Sequence, residues 1–428
     1  VSSRSRSTDT GGASRPTSSS AASPRRGSGL APVTHLRSRS AIEPAEPFVD
    51  DVRAKGRRLI PSSPPGRRSK PFVLLLSLLL TLNVIGLVMI LSASSVSSLE
   101  DYGSPWYQFS RQAIWFTLAL AALVVVMRRD YRTWRRHCGA LLLGSLFLLV
   151  LVLVPGIGLE VNGATRWLGY GPLSIQPSEL VKLTLIIFWA DLLARRAKWI
   201  DDCRLTLVPV LLSFLAAAVL IMLQPNLGTT AIIFAIMIAM LFVAGTAGRW
   251  IAAVLGAGIV AGALFAILFP WRWKRISAFL DPWQDAQGAG YQTIESKAAL
   301  ANGGPFGTGL GEGRSKWGFL PEAHTDFIFS VIAEETGFMG GLLVIALLIT
   351  FSVVGFQVAM RAPDRFGALL ATGITAWFIV QSFLNIGQAV GALPVMGVPL
   401  PFVSSGGSSL LFSMIAAGML LNVARQTR

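Results

Sequence analysis

Apolar residues along this chain do not alternate with polar ones, and they do not recur every third or fourth position. They fill long blocks separated by short polar segments. A helix crosses the hydrocarbon core of a bilayer in roughly 20 mostly apolar residues. Ten blocks of that kind fall near 71–94, 111–127, 138–155, 173–194, 205–223, 229–247, 250–270, 326–360, 366–392 and 403–423. They predict an all-α polytopic membrane protein with ten transmembrane helices. The block at 326–360 is long enough to tilt or to overshoot the bilayer. No apolar h-region lies near the N-terminus, so the first span is expected to serve as the targeting signal.

Composition supports the same class: 53% of residues are hydrophobic, only 14% are charged, and the mean hydropathy is +0.59. The basic residues then orient the bundle. "RRDYRTWRR" at 128–136, "RRAKWIDDCR" at 195–204, Arg249, Arg361 with Arg365, and Arg425 with Arg428 all fall on one side. By the positive-inside rule that side is cytoplasmic, and an even number of spans puts both termini there. The expected location is the cytoplasmic membrane. A large extracytoplasmic loop, 271–325 between spans 7 and 8, breaks the rule with Arg272, Lys274, Arg275, Lys297, Arg314 and Lys316. Such an excess of outer cations invites an explanation by a ligand.

Residues 1–70 are of another material, rich in Ser, Pro and Arg, with 14 basic and 5 acidic residues and no periodicity that could bury a core. They read as a disordered basic cytoplasmic tail preceding a membrane domain at 71–428. A basic tail before a first span is better suited to anionic lipid or an acidic partner than to nucleic acid, so no nucleic-acid partner is expected. Cys138 and Cys203 both fall at cytoplasmic span ends, which leaves no disulfide or metal framework.

Several polar groups stand out against this apolar background. In "QPSELVK", 176–182, Glu179 and Lys182 are three apart on one helix face and can neutralise each other within a span; a purely structural ion pair explains them equally well. Arg166 in "NGATRWLGYGP", 162–172, is either an interfacial anchor or an anion contact. The glycines of "GGPFGTGLGEG", 303–313, follow no strand, so they are weak evidence for a dinucleotide site, although their amides could face a pyrophosphate. In "PEAHTDFIFSVIAEETG", 321–337, His324 and Asp326 stand at the outer mouth of the eighth span. Helix N-capping by Thr325 or Asp326 is the plain reading there. Glu334 and Glu335 lie deeper and need a partner. Lys182 is the basic residue in mid-span, so the fourth and eighth spans are expected to touch. A Pro/Gly-rich outer loop at 391–411 precedes the tenth span. His35, His137 and His324 are the chain's three histidines, and no HExxH zinc motif exists.

Taken together, "NGATRWL", "QPSELVK", "QPNLGT", "FLDPWQDAQGAGYQ", "GTGLGEGRSKWGFLPEAHTDFIFSVIAEE", "NIG" and "LPFVSSGGSSLL" occur in an order that resembles the SEDS family of cell-wall polymerases. The resemblance covers nearly all of 71–424, and the wording of "LPEAHTDF" and "NGATRWL" is closer to the division members than to the elongation members. It implies a ten-span peptidoglycan glycosyltransferase that polymerises lipid II on the outer face of the membrane, beside a class B penicillin-binding protein and other membrane proteins of the divisome. By position, the family's essential acid falls on Asp326 and its Glu/Lys pair on Glu179 and Lys182. The chain departs from the family at Asn226, where a carboxylate is common, and near Met396 and Ser405.

On this resemblance Asp326 is the candidate general base, Arg166, Arg275, Lys316 and His324 are candidate substrate contacts, and Glu179, Lys182 and Glu334 are intramembrane charges. No cofactor is implied with certainty, although a divalent cation such as Mg2+ is compatible with a pyrophosphate leaving group. Two other readings compete. A flippase for the same lipid-linked sugar would use midplane charges such as Glu179, Lys182 and Glu334. A division scaffold would act through the tail.

Overall fold

In the computed structural model the described residues are 69–161, 163–170, 173–200, 202–268 and 270–427. The tail expected at 1–70 therefore lies, but for its last two positions, outside the described residues. Twelve α-helices follow in chain order: α1 Lys70–Tyr102, α2 Tyr107–Arg128, α3 Cys138–Val152, α4 Pro177–Arg195, α5 Val208–Leu223, α6 Leu227–Ala244, α7 Gly248–Leu268, α8 Pro270–Leu280, α9 Tyr291–Gly303, α10 Ile328–Met360, α11 Arg365–Ala389 and α12 Gly407–Gln426. Among the described residues, nine helices are long and apolar enough to cross a membrane. The fourth predicted span, α4, is 19 residues long but carries Glu179, Lys182, Asp191 and Arg195. Its charges are tolerable because the helix is enclosed by others: Glu179, Lys182 and Asp191 are all buried.

Burial separates the centre of the bundle from its edge. In α12, 78% of the most apolar stretch is buried inside the protein, against 6% in α7, which leaves Ile259, Leu264 and Leu268 exposed on its flank. α11 packs on α4, α6 and α10, while α12 packs on α2. Small residues permit the close approaches. A Cβ on Gly418 of α12 would lie 3.1 Å from the Leu123 carbonyl of α2, and one on Gly228 of α6 would lie 2.8 Å from the Met396 carbonyl. Ser69 ties the start of α1 to the end of α12 by donating to the Ala424 carbonyl at 2.7 Å.

Three features depart from the sequence expectation. The first is a small antiparallel meander, β1 Leu159–Val161, β2 Ala164–Tyr170 and β3 Leu173–Ile175, in what was expected to be an all-α protein. Two of its strands are three residues long, too short to leave a period-two pattern. The second is that the outer segment 271–325 is largely structured, by α8 and α9 and by short 3₁₀ turns. The third is a break in α10 at Gly337, whose φ of 74° and ψ of −175° interrupt the helix.

That break is filled by the glycine-rich segment. Thr308 and Gly309 donate to the Glu334 and Glu335 carbonyls at 3.0 and 3.1 Å, and Phe338 and Met339 donate to the Gly304 and Pro305 carbonyls at 2.8 and 3.2 Å. The backbone groups that the kink frees from the helix are thus paired, as an apolar surrounding demands. A Cβ on Gly337 would collide with the Gly307 amide, and one on Gly307 with the Glu335 carbonyl. The glycines of 303–313 serve this interlock rather than a dinucleotide.

The expectation that Lys182 would neutralise the glutamates of the eighth span is not met. Glu334 accepts from the Arg314 and Ser315 amides, both at 3.1 Å, and from the Ser315 hydroxyl at 2.5 Å. Glu335 lies against Ser92 Oγ at 2.6 and 2.7 Å. Backbone amides and hydroxyls do the work assigned to a cation, and sequence spacing cannot anticipate partners supplied by a folded loop.

Candidate functional site

Asp326 stands in a tight turn at the outer end of α10. The Glu322 carbonyl accepts the amides of Thr325, Asp326 and Phe327 at 3.2, 3.1 and 3.2 Å, and Glu322 itself adopts a left-handed φ of 57°. Thr325 Oγ1 fixes the turn further at 2.6 Å from Glu322 Oε2. Phe327 takes the N-cap position and caps no amide with its side chain, so neither Thr325 nor Asp326 performs the capping role that the sequence allowed. The Asp326 carboxyl is consequently left for other uses.

It faces a cavity of about 690 Å³. The cavity is walled by the Asp326 turn, the ends of α2, α4 and α6, Arg166 of β2, Arg275 of α8, and the segment Pro394–Pro399. Asp326 is half-buried beside this space. Burial, reinforced by the Glu322 charge and opposed by Arg166 and Arg275, raises its pKa from 3.8 to about 7. Burial also lowers the pKa of His324, which lines the same cavity and whose carbonyl accepts the Ser405 amide at 2.9 Å.

Two arginines approach the carboxyl from different elements. Arg166 is held rigidly, its Nε on the Gln224 carbonyl at 2.9 Å and its second amino group on the Pro225 carbonyl at 2.7 Å. Arg275 is more exposed and reaches the Val395 carbonyl at 3.3 Å. Arg111 adds a third guanidinium to the lining.

At another part of the wall, Glu179 and Lys182 pair at 2.7 Å, both buried. Lys182 also donates to Gln381 Oε1 at 2.9 Å and lies 4.6 Å over the Trp377 ring. Asn226 caps α6 through the Thr229 amide at 3.1 Å, a task a neutral amide performs as well as a carboxylate.

The fold thus brings together Asp326, His324, Arg166, Arg275, Glu179 and Lys182. It leaves Lys316 and Glu334 elsewhere. Lys316 bonds the Gly311 carbonyl, within the segment that fills the α10 kink, and Glu334 holds the 314–315 backbone. Sequence reading missed Glu322, Arg111 and the amide side chains of α11, although the "NIG" motif lies among the last. Among the described residues no three His, Cys, Asp or Glu side chains converge as a metal site, so an ion here would draw ligands from a substrate as well as from the protein.

Guanidiniums lining a cavity beside a carboxyl whose pKa is raised to about 7 can hold a polyanion while a proton is removed from a neighbouring hydroxyl. Comparison with known proteins adds to this geometry. The family described as "Cell cycle protein", which groups FtsW, RodA and SpoVE, matches residues 72–428. The chain is 41% identical over 365 residues to stage V sporulation protein E of Bacillus subtilis, covering 85% of this chain and 99% of that one. It is 39% identical over 356 residues to the probable peptidoglycan glycosyltransferase FtsW of Geobacter metallireducens, covering 83% and 95%. Among solved structures, a peptidoglycan synthase complex described as coordinating polymerisation and crosslinking contains a chain that matches with a TM-score of 0.69 and 31% identity, over 82% of this chain and 97% of that one.

Proposed function

We propose, from the premise that the chain belongs to the FtsW/RodA/SpoVE family of cell cycle proteins, that its cavity is the active site of a peptidoglycan glycosyltransferase acting in cell division, with Asp326 as general base. The chain is a multi-pass protein of the cytoplasmic membrane. Its substrate on this reading is lipid II, a disaccharide peptide on a lipid pyrophosphate, and the reaction takes place on the extracytoplasmic side.

The chemistry is one displacement. The acceptor's 4-hydroxyl oxygen attacks the anomeric carbon of the donor; the C–O bond to the pyrophosphate breaks and its electrons leave with the lipid pyrophosphate. The hydroxyl proton passes to the Asp326 carboxylate. Attack from the face opposite the leaving group inverts the anomeric carbon, so no second carboxylate is required as a nucleophile. Arg166 and Arg275 balance the charge that grows on the leaving pyrophosphate, in a space where water is largely excluded. Lys316, a candidate contact on sequence grounds, holds the Gly311 carbonyl of the glycine-rich segment instead.

The observation that carries this reading is the position of Asp326: a carboxyl not used as a helix cap, facing a cavity, with a pKa of about 7 beside two cations. A base of that strength is well matched to neutral pH. The experiment is polymerisation of labelled lipid II by the purified protein, with and without a class B penicillin-binding protein, for the wild type and Asp326→Asn. Glycan strands from the first and none from the second are expected; equal synthesis by both removes Asp326 from the mechanism. Movement of lipid II across vesicles without strand formation would favour transport, the reading that Glu179 and Lys182 invite.

A further inference from the structure

One face of α11 presents three amide side chains at intervals of four and three residues, Gln381, Asn385 and Gln388, none of them exposed to solvent. Each of the three donates to a backbone carbonyl of a neighbouring element. Asn385 Nδ2 donates to the Asp326 carbonyl at 2.8 Å and to the Val398 carbonyl at 2.7 Å. Gln388 Nε2 donates to the same Asp326 carbonyl at 3.1 Å, while its Oε1 accepts the Met396 amide at 2.9 Å. Gln381 donates to the Pro399 carbonyl at 2.8 Å and accepts from Lys182.

Asp326 directly precedes the N-cap Phe327, so its carbonyl falls outside the helix's own hydrogen-bond ladder. The first amides of α10 turn to Phe327 instead: Ser330 and Val331 both donate to the Phe327 carbonyl, at 2.9 and 3.3 Å. The peptide following Asp326 is therefore held at its carbonyl by α11 and at its amide, that of Phe327, by the Glu322 carbonyl, not by the helix it introduces. The opposite wall depends on the same two amides. Gly397 lies between Met396 and Val398, and a Cβ on it would be 3.5 Å from Asp326 Oδ2. Its φ of 67° is the left-handed conformation that keeps this contact free of a side chain.

We infer that Asn385 and Gln388 are positioning residues for the reaction, clamping the Asp326 backbone and the 396–398 strap into one unit so that the carboxylate is held at a fixed place against Gly397. The inference rests on Asp326 being the base. Each clamp residue bonds both parts, so loss of either loosens the carboxylate and the wall it lies on together. Neither touches the cavity, since neither is among its lining residues. Their effect should therefore fall on turnover and spare substrate binding. A fixed carboxylate matters because an error of about 1 Å in a reacting group can lower a rate about 100-fold.

The test measures kcat and KM for lipid II polymerisation, per folded molecule, in Asn385→Ala and Gln388→Met, with Asp326→Asn in parallel. Gln388→Met keeps the length of the side chain and loses both bonds, so it guards against an alanine variant that fails to fold. The folded amount comes from thermal unfolding of the purified protein. The expected result is a fall in kcat of about 10-fold or more, with KM within about two-fold, as for an interaction that acts at the transition state. Unchanged kcat in folded Asn385 and Gln388 variants, beside an inactive Asp326→Asn, overturns the clamp and leaves the base in place. A rise in KM at constant kcat also overturns it, because the amides would then serve binding. An active Asp326→Asn would overturn the base assignment and the clamp with it.

Discussion

Lys182 Nζ lies 2.7 Å from Glu179 Oε1, and the pair is enclosed within the bundle while also forming part of the cavity wall. Glu179 Oε2 has no hydrogen-bond partner among the described residues. The lysine is the better satisfied member, with Gln381 as acceptor and the Trp377 ring beneath it. Removing Lys182 would strand a carboxylate that has no other cation in contact. Lys182→Met should lower stability by about 3–5 kcal/mol, the usual cost of breaking a buried pair from one side. The double replacement Glu179→Ala, Lys182→Ala should be less harmful than either single alanine change, since it strands nothing. Folded yield and thermal unfolding of the three variants decide this, and strictly additive losses would mean that the pair does not act as one unit.

The raised pKa of Asp326 makes a prediction about pH. The carboxyl must be ionised to accept a proton, so kcat/KM should climb about tenfold per pH unit below pH 7 and level off above it. The stability linkage runs the opposite way. The folded state favours the protonated form, so this group's favourable contribution is complete below about pH 3.8 and is lost as pH rises through about 7. Asp326→Asn should therefore abolish polymerisation and, relative to wild type, gain stability at pH 8 compared with pH 5. Unfolding midpoints at the two pH values provide the check; an unchanged difference would place the carboxyl in a more solvated setting than the cavity provides.

The kink in α10 offers a test that does not touch the chemistry. Gly337→Ala adds a Cβ at a φ of 74° and drives it into the backbone of the 303–309 segment. A φ of 74° with a ψ of −175° is open essentially to glycine alone, and holding a residue with a Cβ there costs about 1–3 kcal/mol. The collision adds to that cost, so the unfolding temperature should drop clearly. Gly144→Ala in α3 is the control, because nothing lies within 4 Å of a Cβ there. Equal unfolding temperatures for the two variants would show that the glycine-rich segment is not locked into the kink.

How much of this was legible in the sequence differs from element to element. Nine spans among the described residues were legible because an apolar block of bilayer length has few other uses, and the remaining predicted block coincides with α4 and its four charges. The ion pair within it was legible from the three-residue spacing of Glu179 and Lys182, and Asp326 and Arg166 from the motifs that contain them. The partners of Glu334 were not, because they are backbone amides delivered by a segment about twenty residues upstream. Charge and side of the membrane recommend Lys316, but only the fold reveals that its ammonium is engaged by the Gly311 carbonyl, apart from the residues that line the cavity. Asn385 and Gln388 carry no charge and lie in an apolar helix, so composition gave no reason to single them out.

The two arginines beside Asp326 differ in how they are held, and the difference predicts different consequences of losing them. Arg166 is fixed by two carbonyls of the turn between α5 and α6, so Arg166→Gln removes both a cation and a support of the cavity wall. Arg275 is exposed and reaches the Val395 carbonyl at a longer distance, 3.3 Å. Its replacement by Gln should weaken the use of lipid II with little effect on folding. Because an exposed charge is screened by salt, the remaining attraction should respond to ionic strength, and the Arg275 variant should lose part of the wild type's salt sensitivity. Lys316→Gln, outside the cavity, should leave KM unchanged. Turnover against lipid II concentration at two ionic strengths separates these outcomes. A KM raised by Lys316→Gln but not by Arg275→Gln would move the pyrophosphate contact out of the cavity and onto the glycine-rich segment.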